Sequence, residues 1–257
     1  MPVESSNQQQ DQQGQPFISH LVELRTRILR GLLCVLSVFL ILTFFAGDIY
    51  SLIAKPLLIR LGPENSMIAT QVASTFITPI KLVFYLSVFI AMPYLLYQVW
   101  AFIAPGLYKN ERRFALPLLI ISIILFYTGI VFAFFVIFPI VFGFFTSIAP
   151  EGVTMMTDIS NYLDFIMKLF LAFGLAFEVP VVTIMLTYTG LVSVKTLKHY
   201  RPYIIVGAFT IGMLLTPPDV LSQLLLALPM WFLFELGLLL SNFIATREEV
   251  KSASGKQ

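Results

Sequence analysis

Phe102-Ile-Ala-Pro-Gly-Leu-Tyr-Lys-Asn-Glu-Arg-Arg113 decides how this chain is folded. Apolar runs flank it on both sides, each long enough to cross a bilayer. Pro105 and Gly106 end the helix that precedes them. Lys109, Arg112 and Arg113 then place three cations in a short loop, with Glu111 among them. Cations concentrated in a short loop between two spans mark the cytoplasmic side. With this loop inside, every other loop has an assigned side. Glu111 has two readings at this point. It is a hook for a cationic partner, or it pairs with Arg112, Arg113 or a neighbouring helix end.

Composition agrees with a chain that crosses the membrane repeatedly. The sequence is 58% hydrophobic and 12% charged, with a mean hydropathy of +0.89, whereas soluble domains are about 45–50% apolar and about 25% charged. Its 257 residues hold about six spans of roughly 20 residues plus loops. The single cysteine, Cys34, leaves no intrachain disulfide and no structural cysteine site for a metal. His20 and His199 are too few and too far apart to suggest a metal centre. The first 16 residues are polar and include six Gln. They are read as a disordered tail (1–16) rather than a cleavable signal peptide.

From Phe17 the pattern becomes helical and amphipathic. Phe17, Leu21, Leu24 and Ile28 fall on one face, and Glu23, Arg27 and Arg30 on another. This predicts a helix along the membrane interface that feeds the first span. Spans follow at about 28–46, 79–102, 114–138 and 162–189, with Pro93 a kink site in the second. Asp164 and Lys168 stand four apart, acid first, which predicts an ion pair along one helix. The last two segments, 203–215 and 220–243, are read as short, the second because Pro229 interrupts it. A polar tail, 245–257, closes the chain. Arg25, Arg27, Arg30, Lys109, Arg112, Arg113, Lys195, Lys198, Arg201, Arg247, Lys251 and Lys256 fall on one side, and Lys55, Arg60, Lys81 and Lys168 on the other. Twelve against four gives an all-α polytopic membrane protein with six transmembrane helices and both termini cytoplasmic.

Two carboxylates lie inside apolar spans. Glu178, in Ala176-Phe-Glu-Val-Pro180, falls roughly 18 Å from the inner end of its span, and Pro180 cannot donate to the Ala176 carbonyl. An ionised carboxylate there costs at least ~2.5 kcal/mol, so it faces protein or water or is protonated. It is either a polar docking site in a concave face or a protonated group bonded to a neighbouring helix. Glu235 lies nearer the inner surface, where an ordinary packing role is also open. No nucleophile with a matching base, phosphate loop or ion-ligand cluster is present. No basic patch interleaved with aromatics suggests nucleic acid.

Five stretches in this order resemble the TatC family, the signal-reading membrane subunit of the twin-arginine protein translocase. They are His20-Leu-Val-Glu-Leu-Arg25, Tyr97-Gln-Val-Trp-Ala-Phe-Ile-Ala-Pro105, Lys109-Asn-Glu-Arg-Arg113, Ala172-Phe-Gly-Leu-Ala-Phe-Glu-Val-Pro180 and Gly212-Met-Leu-Leu-Thr-Pro-Pro-Asp219. The resemblance covers about residues 17–243. It implies a cupped arrangement of helices and a core receptor that binds Arg-Arg signal peptides of folded proteins for export driven by the proton-motive force. It implies no enzyme activity, cofactor or metal. Glu23 and Glu111 match the carboxylates that receive the two arginines, and Arg25 and Phe102 match positions near them. Glu178 matches the polar residue of the concave face. Pro56 and Asp219 match outer-side positions with a structural or assembly role. Met213, Thr216 and Gln223 match the contact region for single-span TatA- and TatB-like partners. The other implied partners are further copies of the chain and membrane lipid, and the location is the bacterial inner membrane. A reading of another class is a proton-coupled small-solute transporter built on Glu178, which the absence of an internal repeat disfavours.

Overall fold

The computed structural model describes residues 5–52, 69–103, 112–148, 158–215 and 220–254, and the regular elements among them are helices. α1 (Ser5–Thr43) is one unbroken helix, so the expected interfacial helix and first span are continuous. Its backbone is helical over residues 5–16 as well, where the sequence reads as a disordered tail. Gln is an adequate helix former once a helix has nucleated further along.

α2 (Ser74–Ile103) runs through Pro79 and Pro93. α3 (Arg112–Phe132) leads through a π-helical stretch, Ala133–Ile137, into α4 (Phe138–Ile148). The wider π turn sits just ahead of Pro139, whose ring would clash with the carbonyl of Phe135 in a regular α-helix. The apolar run is therefore not cut at Pro139. α5 (Ile159–Ala176) and α6 (Val179–Tyr188) are separated by the turn at Phe177 and Glu178. This break lies where Pro180 withholds its N–H from Ala176. Glu178 N–H bonds instead to Leu175 O at 3.1 Å.

After Gly190, the one described glycine with positive φ at 69°, come α7 (Val194–His199), α8 (Arg201–Leu215) and α9 (Val220–Ser254). The expectation of two short closing helices is half corrected. α8 has 15 residues, but α9 has 35 and carries Pro229 inside it. In apolar surroundings no water competes for the freed backbone groups, so one proline does not end the helix.

Five helical stretches are long and apolar enough to cross a membrane: His20–Thr43, Ser74–Ile103, Leu116–Phe144, Ile159–Tyr188 and Gln223–Phe243. Arg201–Leu215 is apolar but shorter. Large apolar side chains face outward along them. Leu32, Ile41, Val206 and Leu239 are all more than 60% exposed, a surface suited to lipid and not to water.

α1 packs on α2, α2 and α3 pack on α5, and α9 packs on α6 and α8. Leu82, Phe126, Val141, Ile166, Leu169 and Phe173 are buried at the centre of the α2–α5 bundle. Close approach at the α3–α5 crossing depends on glycine. A Cβ on Gly129 would lie 2.5 Å from Phe173 O, and one on Gly174 would lie 2.6 Å from the Phe126 ring. Small residues at such crossings let helix backbones meet where lipid supplies no hydrophobic drive for association. A smaller cluster of Ala176, Ala208, Ala227, Met230 and Leu233 joins α5, α8 and α9.

Candidate functional site

The helical period puts Glu23 and Arg27 one turn apart on α1, and their side chains meet. Arg27 donates from Nε at 2.9 Å and from Nη2 at 2.6 Å, both to Glu23 Oε1. Charge-assisted bonds of this kind are short and strong. Arg27 Nη1 also reaches Gln98 Oε1 of α2 at 3.4 Å, and Gln98 is buried. His20 stacks on Phe102 with ring centroids 4.3 Å apart and an interplanar angle of 18°. Its Nδ1 lies 3.9 Å from Glu23 Oε2. The end of α2 is thus fastened to α1 beside the Glu23 carboxylate. Below it, an apolar groove of about 540 Å³ runs between the two helices, with Leu24, Arg27, Gly31, Leu95, Gln98 and Phe102 in its lining.

Of the four residues expected at this site, Glu23 and Phe102 come together and Arg25 faces solvent on the same helix. Glu111 lies outside the described residues, as do Pro56, Thr216 and Asp219. His20, Arg27 and Gln98 join the site without being expected there from sequence. The i, i+4 spacing of Glu23 and Arg27 was a usable signal. Nothing in sequence announces that Phe102 and Gln98 lie beside them.

The intramembrane carboxylates separate into two cases. Glu235 has a partner, with Arg201 Nη2 donating to its Oε2 at 2.6 Å. Glu178 lies at the α5–α6 break, and its Oε1 is buried without a hydrogen-bond partner. Ser122 of α3 lies close enough to interact with the Glu178 carboxylate and accepts a bond from Trp100 Nε1 at 3.2 Å.

The expected Asp164–Lys168 pair is corrected. Asp164 Oδ2 accepts from Lys81 Nζ of α2 at 2.7 Å. The α2–α5 crossing brings Lys81 to the carboxylate, and a contact between helices displaces the local one. Met213 is 53% exposed, whereas Gln223 donates within the chain to Phe209 O at 2.9 Å and lies against Gly212.

Asp158 carries a role that sequence did not suggest. It caps α5 through Oδ1, which accepts from the N–H groups of Ser160 and Asn161. Its Oδ2 accepts from the hydroxyl and N–H of Thr70. The Thr70 hydroxyl, with these backbone donors, holds the carboxyl down to about 2. Among the described residues, no group of three His, Cys, Asp or Glu could hold a metal ion.

These features define a multi-pass helical membrane protein with a guanidinium–carboxylate cluster beside an apolar groove. A family model described as Sec-independent protein translocase protein (TatC) matches residues 19–229. The chain is 55% identical over 243 residues to the Sec-independent protein translocase protein TatC of Azotobacter chroococcum mcd 1, covering 95% of each chain. It is 56% identical over 229 residues to that of Escherichia coli (strain K12), covering 89% of each. A crystal structure of the twin arginine translocase receptor TatC superposes with a TM-score of 0.80 at 35% identity, covering 87% of this chain and 98% of that one. The chain belongs to the TatC family and is a component of the Sec-independent, twin-arginine protein translocase.

Proposed function

We propose that the chain is the core receptor of this translocase, binding the Arg-Arg pair of signal peptides on folded proteins and nucleating their export under the proton-motive force. The observation that carries the reading is the Glu23 carboxylate, which already holds a guanidinium, that of Arg27, through two donors. An arriving arginine offers the same fork and can exchange with it. Glu111 supplies the second carboxylate, Arg25 helps set the local field, and Phe102, stacked on His20, walls the site. The groove between α1 and α2 then takes the apolar stretch of the peptide.

In the same reading the chain works as a binding subunit and not as an enzyme. It crosses the bacterial inner membrane six times with both termini in the cytoplasm, and its helices form a cup whose concave face holds Glu178. Pro56 and Asp219 support the outer side. TatA- and TatB-like single-span subunits contact the region of Met213, Thr216 and Gln223, and further copies of the chain associate with it. Exposure of Met213 favours that contact, while Gln223 would have to give up its bond to Phe209 O or act through it.

Glu23→Ala and Glu111→Ala test the reading in purified, membrane-inserted protein. Each should weaken binding of a twin-arginine peptide by roughly tenfold or more, the value of one hydrogen bond to a charged group, with insertion intact. Unchanged peptide affinity in both inserted variants would remove the two carboxylates from the receptor site.

A further inference from the structure

We propose that the cavity between α5 and α8 binds an anionic phospholipid, with Lys168 meeting the headgroup phosphate and one acyl chain lying along the apolar walls. The cavity has a volume of about 490 Å³, and its lining includes Leu171, Leu175, Gly207, Ile211 and Met230. Lys168 is the single charged residue in that lining. It lies inside the span Ile159–Tyr188 and is exposed. Its expected partner, Asp164, is taken by Lys81. Among the described residues no ion pair engages the Lys168 ammonium. A cation within a span needs an anion or a route to the interface. Lys168 stands at the N-terminal end of the α5 lining, one turn below Asp164, from which it can reach toward a headgroup.

Dimensions favour a lipid over a protein helix. From Lys168 to Val179 the lining extends about 16 Å at 1.5 Å per residue, about half of a 30 Å hydrocarbon core and hence the depth of one leaflet. A helix is about 10–12 Å across, so the cavity volume corresponds to about one helical turn. A flexible chain can fill it, whereas a spanning helix could only lie across its mouth. The space in front of Gly207 is open, since a Cβ placed there meets nothing within 4 Å, so a large side chain at this position would project into the cavity.

Native mass spectrometry of the full chain in detergent, with phosphatidylglycerol or phosphatidylcholine added, tests the proposal. Wild-type protein should retain phosphatidylglycerol roughly tenfold better than phosphatidylcholine, because the quaternary ammonium of choline offsets the phosphate that both lipids share and repels the Lys168 ammonium. K168A should lose the preference, K168R should keep it, and Gly207→Phe, which fills the cavity, should lower retention of both lipids. The proposal is overturned if K168A still prefers phosphatidylglycerol, or if Gly207→Phe retains both lipids normally. It is also overturned if a photoreactive residue at Ile211 captures a single-span protein in membranes and no lipid. Should K168A fail to fold, the K168R and Gly207→Phe arms still decide the matter.

Discussion

At the scale of single residues, Arg27 occupies the carboxylate that the proposed ligand needs. Its guanidinium lies 2.6 Å from Glu23 and also touches Gln98, so binding of a peptide arginine is an exchange in which Arg27 can fall back on the Gln98 amide. Removing the competitor should therefore help. Arg27→Gln is expected to tighten binding of a twin-arginine peptide by roughly two- to fivefold, the range for a partly exposed ion pair. Fluorescence anisotropy with a labelled peptide measures this, and weaker binding would make Arg27 part of the receptor surface. A second prediction concerns Asp158. Its carboxyl titrates at about 2 in the folded chain against an ordinary value of 3.8. Because the folded value is depressed, its stabilising effect is complete above about pH 4 and is lost as pH falls toward about 2. The melting temperature of wild type should exceed that of Asp158→Ala at pH 7, and the gap should narrow across that interval. A gap that stays constant would detach the Thr70 clasp from the ionised carboxylate.

At the scale of elements, the crossing of α3 and α5 turns on Gly129 and Gly174. Gly129→Val drives a side chain into the α5 backbone and should lower stability by about 1–3 kcal/mol, as overpacking does. Gly143→Ala, where a Cβ meets nothing within 4 Å, should leave the melting temperature unchanged or slightly raised, since alanine is the better helix former. Equal effects from the two variants would deny the close approach its role. The long apolar helices were legible in sequence, and Pro180 marked the freed carbonyl of Ala176, but the run 162–189 reads as one span, and neither the helical backbone over residues 5–16 nor α7 shows in the pattern. Proline elsewhere was less informative. Pro139 is absorbed by a π turn and Pro229 by α9, and which outcome a proline has depends on what packs around it. Pairings between helices were the least legible. The spacing of Asp164 and Lys168 pointed to a local pair, and only the packing of α2 on α5 brings Lys81 to Asp164.

At the scale of the whole molecule, long apolar runs and the side of each cation were enough to expect a polytopic helical protein, since lipid allows few other solutions. The candidate site was legible only as separate motifs. Glu23 and Phe102 are distant in sequence, and it is the packing of α1 on α2 that makes them neighbours through His20. Glu111 follows Phe102 by nine residues. The most direct test is site-specific photocrosslinking from positions 23 and 111 in inverted membrane vesicles, with peptides that carry Arg-Arg or Lys-Lys and are otherwise identical. Strong labelling from both positions by the Arg-Arg peptide, with little from the Lys-Lys peptide, is the predicted result. Equal labelling by the two peptides, or labelling from one position only, would contradict a receptor built on paired carboxylates.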